Sequence, residues 1–256
     1  MNQASEGRVT RGITREDIEA DAAREAFARS PLVAGRLLSE QALERSLEAT
    51  LAHWNGRDDV FVFGYGSLIW NPCLEYVARY PARVRGWHRR FCLWSSVYRG
   101  TPERPGLVLA LDRGGAVRGL VYRIHAKVAR RELRLLWRRE MTAGSYQARW
   151  LRCELCEAVA CEDVRGVVSA IGFVIDRTSP TYAGHLSDEA IVERLVTTAG
   201  RYGSGAEYLY QTDAALRASG IVDPYLDRLC RLMAERHFKA AGARPSCFGR
   251  PHVQTS

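Results

Sequence analysis

Several things are missing from this chain, and each absence removes a class of protein. Its most apolar run, Val167 to Ile175, is far short of the ~20 residues a membrane-spanning helix needs. Met1 to Asp21 is polar throughout, without the basic start and apolar centre of a secretory leader, so the expected location is the cytoplasm. The cysteines number seven, an odd count that does not suit a secreted disulfide scaffold. Cys153, Cys156 and Cys161 open with C-x-x-C spacing, but a structural zinc wants four ligands and no histidine lies within about twenty residues of the group. Cys153 also fits a strand alternation in "ARWLRCEL", so these read as ordinary reduced cysteines, and neither metal nor cofactor is expected. There are no internal repeats and no low-complexity tracts.

Charge is present in excess of one sign, 37 basic residues against 29 acidic for a net +8. The densest cluster, Arg83-Val-Arg85-Gly-Trp-His88-Arg89-Arg90, mixes cations with aromatics as a strand over single-stranded nucleic acid would. No RNP-like, KH or zinc-finger pattern accompanies it, and binding of small anions explains the charge as well. A small-molecule partner is expected, with no nucleic acid and no membrane. The expected state is a monomer or weak homodimer.

What remains is ordinary globular material: 256 residues, 46% hydrophobic and 26% charged. Residues 1–57 read as a helical N-terminal extension packed on a main domain at 58–243, with a flexible tail from 244 to 256. Thr14-Arg-Glu-Asp17 is a capping box opening a helix through Ala28. Ser39 caps a second helix, in which Leu43, Leu47, Leu51 and Trp54 form an apolar stripe. Strands are expected at 60–63, 76–84, 88–95, 107–111, 116–123, 148–154 and 167–175, with "RGTPERPG" and "DRGG" as turns between them. A helix interrupts the series from His125 to about Thr142. Three more follow, Asp188–Thr198, Glu207–Ser219 with Gly220 at its C-cap, and Pro224–Ala240. A strand-rich core with helices gathered around it is an α+β fold.

Two features point to chemistry. In "VFVFGYGSLIW", Val60 to Trp70, an apolar strand breaks at Gly64 and Gly66 and then resumes hydrophobic at once. A tight turn explains this, and so does a ligand that must approach the backbone closely. The second feature is Glu140, four residues after Leu136 and three after Trp137, on the core-facing stripe of its helix, while Arg130, Arg131, Arg134 and Arg138 hold much of the opposite face. Either the helix frays there into solvent, or a carboxylate faces apolar surroundings and its pKa rises toward neutrality. In that state it can act as a general acid–base. Backbone N–H groups of Gly66, Ser67 and Leu68 would supply a concavity for a carboxylate or an oxyanion.

"VFVFGYGSLIWNP" resembles the signature of the ChaC family of glutathione-specific γ-glutamylcyclotransferases. The likeness continues in "GWHRRFCLWSSVYRGTPERPGLVLALDRGG", "GLVYRI", "LLWRREMTAGSY" and "AEYLYQTDAALRASGI", in order and over roughly residues 60–240. It implies a compact barrel-like α+β fold of the γ-glutamylcyclotransferase-like superfamily. It also implies a cofactor-free lyase that releases 5-oxoproline and Cys-Gly when the α-amine of glutathione attacks its own γ-carbonyl. Glu140 matches the family's catalytic glutamate, and Tyr65, Gly66, Ser67 and Leu68 match the loop that holds the γ-glutamyl end. On this reading the two glycines leave room for substrate to reach backbone donors.

Other assignments that follow from the resemblance stay open. Arg99 and Glu103, in the loop Arg99–Gly106, are contacts to the glycyl end or members of a plain proline-glycine turn. Tyr146 orients the carboxylate, donates to the γ-carbonyl, or simply packs. Tyr182 in "SPTYAG" matches a family tyrosine that lines the pocket, and Tyr208 lines it or fills a helix core. In "TTAGRYGSGAEYL" the chain departs from the family, which has proline where Arg201 stands and asparagine where Gly205 stands. The remaining alternatives are cyclotransfer on other γ-glutamyl amino acids or amines, and a catalytically idle basic binding protein.

Overall fold

The computed structural model describes residues 12–156 and 166–240, with side chains through residue 236. Cys161 and the tail from Arg244 lie outside the described residues. The chain opens with α1 (Arg15–Glu19), α2 (Arg24–Ala28) and α3 (Glu40–Leu51). Thr14 and Asp17 form the expected capping box, each side chain accepting from the other's N–H at 3.1 Å. The helix does not run unbroken to Ala28. Asp21 adopts φ 48° and its carboxylate pairs with Arg24, so the chain turns between α1 and α2. Ser39 caps α3 through Ala42 N–H at 3.2 Å, and Leu43, Leu47 and Leu51 are buried as their spacing requires.

Five strands close into a barrel: β1 (Val60–Gly64), β2 (Ala78–Ser95), β3 (Gly106–Ile124), β4 (Tyr146–Leu155) and β5 (Val167–Ile175). Their order is β1-β3-β2-β4-β5, antiparallel except where β5 meets β1 and β3, with Phe61 facing Ala170 and Leu111 facing Val174 in parallel pairs. Four of the expected strands are in fact two long ones. "DRGG" does not separate strands. Arg85 faces Ala116 and Trp87 faces Arg113, so Gly86 stands opposite Gly114 and Gly115 in a bulge inside one continuous ladder. The φ values there, 82°, 103° and 67°, are open to glycine at no steric cost, so the ribbon bends without ending.

Both faces of β1 are buried, which is why it reads as an unbroken apolar run. Phe63 and Tyr65 join Val84, Leu111, Val121 and Leu151 in one cluster, while Val60 and Val62 face a larger one with Phe91, Tyr122, Trp137 and Phe173. That larger core is covered by α4 (Ala126–Glu140), α5 (Asp188–Thr197), α6 (Gly205–Ala218) and α7 (Pro224–Ala240), with a short hairpin of β6 (Ala199–Gly200) and β7 (Gly203–Ser204) before α6. Gly220 ends α6 at φ 72°, and the N–H groups of Gly220 and Ile221 return to Arg217 and Leu216 at 2.9 Å.

Three arginines of the dense basic cluster have partners within the molecule, and one of them is buried. Arg89 is buried; its Nε donates to the Tyr65 carbonyl at 2.5 Å, its Nη2 to the Arg118 carbonyl at 2.7 Å, and it pairs with Asp223. Arg85 pairs with Glu154 at 2.9 Å, and Arg90 reaches the Leu186 carbonyl at 3.3 Å. On α4, Arg130, Arg134 and Arg138 are not a free solvated row either; they pair with Glu48, Glu44 and Glu40 of α3.

A second tie joins α1 to α4. The Glu132 side chain is fully buried and accepts from Arg15 at 2.8 and 3.0 Å, from Arg131 at 2.8 Å and from the Glu75 N–H at 2.9 Å. Burial alone would raise its pKa, but these donors hold it down at about 2. A depressed carboxylate stabilises the fold above its ordinary value of 4.5 and loses that contribution as pH falls toward 2. Glu132→Gln should therefore cost about 2 kcal/mol at pH 7 in urea unfolding. The gap between variant and parent should shrink at pH 3, and a gap that stays constant with pH would contradict this account.

Candidate active site

Where β1 ends, Gly64 to Leu68 turn from the barrel into one 3-10 turn, Ser67–Ile69. The turn is gripped from several sides. Arg89 holds the Tyr65 carbonyl, the Tyr65 hydroxyl donates to the Phe173 carbonyl at 2.8 Å, and the Tyr122 hydroxyl donates to the Leu68 carbonyl at 2.7 Å. The glycines make room for protein atoms at close range. A Cβ on Gly66 would lie 2.8 Å from the Tyr208 hydroxyl, and one on Gly64 would lie 3.0 Å from the Tyr122 ring and 3.1 Å from the Leu68 Cβ. The close approach inferred from the sequence is thus made first by two tyrosines. The opening N–H groups of a 3-10 turn have no acceptor inside it, so those of Ser67 and Leu68 are not used by the turn.

Glu140 ends α4 at the same cavity, whose lining includes Tyr65, Gly66, Ser67, Leu68, Arg99, Glu140, Tyr146 and Tyr208. The cavity encloses about 1030 Å³ between its walls, open solvent at the mouth included. Glu140 does not fray into solvent; its side chain is 15% exposed and its pKa is raised by burial, with Arg139 pulling the other way.

Arg139 was not legible as a site residue. The row Arg130, Arg134, Arg138 suggested that arginines on α4 face outward, yet Arg139 is buried. Its Nε lies 3.0 Å from Glu140 Oε1, Nη2 donates to Ser67 Oγ at 2.9 Å, and Nη1 donates to the Asn71 carbonyl at 2.6 Å. One guanidinium thus ties the carboxylate to the glycine turn. A signal existed in the sequence: Glu132, Leu135, Leu136 and Arg139 follow the i, i+3, i+4, i+7 spacing of a second buried stripe, and all four are buried.

The remaining expected residues divide. Arg99 is buried on the cavity wall. Its Nη1 donates to the carbonyls of Tyr202 at 2.6 Å and Ser204 at 3.3 Å, and its guanidinium lies 5.2 Å from the Tyr208 ring centre and 5.7 Å from that of Trp70. No carboxylate pairs with it among the described residues. Tyr146 lines the cavity beside Phe173, its hydroxyl 3.4 Å from the Leu109 carbonyl, too long for a strong bond. Burial raises the hydroxyl pKa values of Tyr65 and Tyr146, with the Glu140 charge adding to both, and takes Tyr208 to about 12, so all three are protonated donors at neutral pH.

Two residues stand apart. Glu103 is exposed at the tip of the loop after Arg99 and is absent from the lining. Tyr182 bridges to Leu93, but its hydroxyl points away to Asp112 at 2.8 Å, and Thr181 takes the place on the wall. Thr181 ends a turn, its hydroxyl donating to Ser145 Oγ at 3.0 Å, while Tyr182 is held at the bridge to Leu93, and these separate contacts fix the two side chains.

Comparison with known proteins places this geometry in a family. The family described as ChaC-like protein matches residues 60–236, and the chain belongs to it. A glutathione-specific gamma-glutamylcyclotransferase of Escherichia coli (strain K12) is 37% identical over 203 residues, covering 78% of this chain and 85% of that protein. The human glutathione-specific gamma-glutamylcyclotransferase 1 is 30% identical over 152 residues, 59% of this chain and 66% of its own. Among solved structures, a yeast γ-glutamyl cyclotransferase specific to glutathione superposes with TM-score 0.63 at 23% identity, covering 70% of this chain and 97% of that one, which shows a shared fold.

Because Arg139 opposes the effect of burial on Glu140, its removal has a definite sign. In Arg139→Gln the Glu140 carboxyl should titrate at higher pH than in the parent, read by carboxyl-labelled NMR. A downward movement would mean that the guanidinium is not the group holding the carboxylate ionised.

Proposed function

We propose that this chain is a glutathione-specific γ-glutamylcyclotransferase. The observation that carries the reading is the placement of a desolvated glutamate and a glycine turn in the lining of one cavity, joined by the Arg139 guanidinium, in a member of the ChaC family. The names of its relatives in Escherichia coli and human support the substrate.

In this mechanism the cavity folds the γ-glutamyl unit back on itself. Nucleophile and electrophile belong to one molecule, so positioning supplies a large part of the acceleration. Glu140 takes a proton from the α-ammonium, whose ordinary pKa is about 8, and burial brings the carboxyl toward that value. The freed amine attacks the γ-carbonyl carbon, and charge moves to the carbonyl oxygen. The N–H groups of Ser67 and Leu68 and the protonated hydroxyl of Tyr146 or Tyr208 are the donors for that oxygen. The bond to the cysteinyl nitrogen then breaks as Glu140 returns its proton there; the ring nitrogen gives up its second proton, which the released amine takes up, leaving 5-oxoproline and Cys-Gly with no water consumed. Arg99, a wall cation without a carboxylate partner among the described residues, receives the glycyl carboxylate.

Purified protein should form 5-oxoproline and Cys-Gly from reduced glutathione, and Glu140→Gln should lower kcat by about 10²–10⁴ while remaining folded. Failure of the unaltered, folded protein to release 5-oxoproline would end this proposal. Arg99→Gln should raise KM for glutathione more than it lowers kcat, since the interaction is with a part of the substrate remote from the reacting carbon. The ascending limb of kcat/KM should lie above the 4.5 of an unperturbed glutamate, because the free carboxylate is needed and burial raises its pKa.

A further inference from the structure

The matched family region begins at residue 60, yet four residues far upstream of it line the cavity: Gly12, Ile13, Phe27 and Val33. They belong to a segment that borders the cavity between the glycine turn and the end of β2. At one end Asn71 donates to the Ile13 carbonyl at 2.8 Å, beside the turn. Further along, the Phe27 ring meets Tyr98 edge-on with centroids 5.4 Å apart. Val33 packs in the same cluster, with Val97 and Ala143. All of Phe27, Val33 and Val97 are buried.

The segment is fastened at separate points. Arg15 enters the buried pair with Glu132, and Leu38 N–H donates to the Thr142 carbonyl at 3.1 Å, just beyond Glu140. Arg201 supplies another fastening. It stands where the family has proline, and its Nη1 donates to the Ala22 carbonyl at 2.8 Å, with Nη2 3.8 Å from Asp17. The departure from the family pattern thus has a physical partner in the one part of the described chain that precedes the family region. The companion departure, Gly205, packs so closely that a Cβ would lie 2.8 Å from Leu195, leaving no space there for an asparagine.

We propose that residues 12–38 form a strap that completes the substrate cavity and selects the leaving-group half of the substrate, with Phe27 and Val33 as its wall and Arg201 as its latch. This rests on the γ-glutamylcyclotransferase reading. The γ-glutamyl half is common to every γ-glutamyl substrate, and its charged α-groups need polar partners. The strap offers Gly12, Ile13, Phe27 and Val33 to the cavity, with no polar side chain among them, so it is ill suited to hold that half. An apolar wall suits the thiol-bearing side chain of the second residue, and discrimination of leaving groups falls to it.

Phe27→Ala should raise KM for glutathione about tenfold while leaving kcat within about twofold, the size expected when an apolar side chain is cut back in a selective pocket. The preference for glutathione over γ-glutamylalanine should fall by a similar factor. Phe27→Leu should restore most of both. Arg201→Ala, remote from the cavity, should move KM and preference the same way by a smaller factor. Thermal melting confirms that each variant is folded. Turnover by the parent with KM and preference unchanged in folded Phe27→Ala and Arg201→Ala overturns the strap and leaves the function standing. Equal loss of kcat on both substrates with KM unchanged also overturns it, because that is the mark of a support for the fold. Absence of 5-oxoproline from the parent overturns the function and the strap with it.

Discussion

Eighteen residues of β2 paired along nineteen of β3 form a ribbon from which almost every part of the site hangs. Its length is possible because the bulge at Gly86 lets the ladder bend and continue. One part of β2 sends Arg89 inward to grip the Tyr65 carbonyl, and the strand end leads on to Tyr98 and Arg99 on the cavity wall. Near its start β3 lines the same cavity with Val108 and Leu109 and, further on, pairs with β1 so that Gly64 lies beside Leu120. Without this ribbon neither the glycine turn nor Arg99 would have a fixed place, since a barrel leaves no free edge along which they could slip.

On that frame the site solves an electrostatic problem. A carboxylate near an apolar cavity is costly if charged, and useless as a base if it never ionises. Arg139 settles the balance by lying against Glu140 while its other nitrogens are bound to Ser67 and to the Asn71 carbonyl. The guanidinium cannot move to suit the carboxylate without releasing the turn. Carboxylate and turn are therefore positioned together, which is what an intramolecular cyclisation requires of two groups acting on one substrate.

Much of this was legible from local pattern. The capping box at Thr14, the cap at Ser39, the C-cap at Gly220 and the leucine stripe of α3 are each set by residues a few positions apart. Glu140 was found the same way, as a carboxylate breaking an apolar stripe. The long strands were misread because glycine pairs look alike in a turn and in a bulge, and only the partner strand decides which they are. For Tyr182 distant contacts again decide: Thr181, in the turn, meets the cavity, and Tyr182, held at the bridge to Leu93, meets Asp112.

By itself the sequence determined the class of fold, the elements that carry periodic signals, the glycine turn after β1 and the carboxylate on the core-facing stripe of α4. These depend on backbone sterics and on spacing along one helix or strand, and both act over short range. Tertiary structure alone decided that Arg139 joins Glu140 to Ser67, that Arg89 leaves its basic cluster for the core, and that residues before the family region line the cavity. Each of those is a contact between segments tens of residues apart, such as Arg201 with Ala22 or Arg15 with Glu132. A buried charge takes its place where partners converge in space, and no local pattern encodes where they will meet.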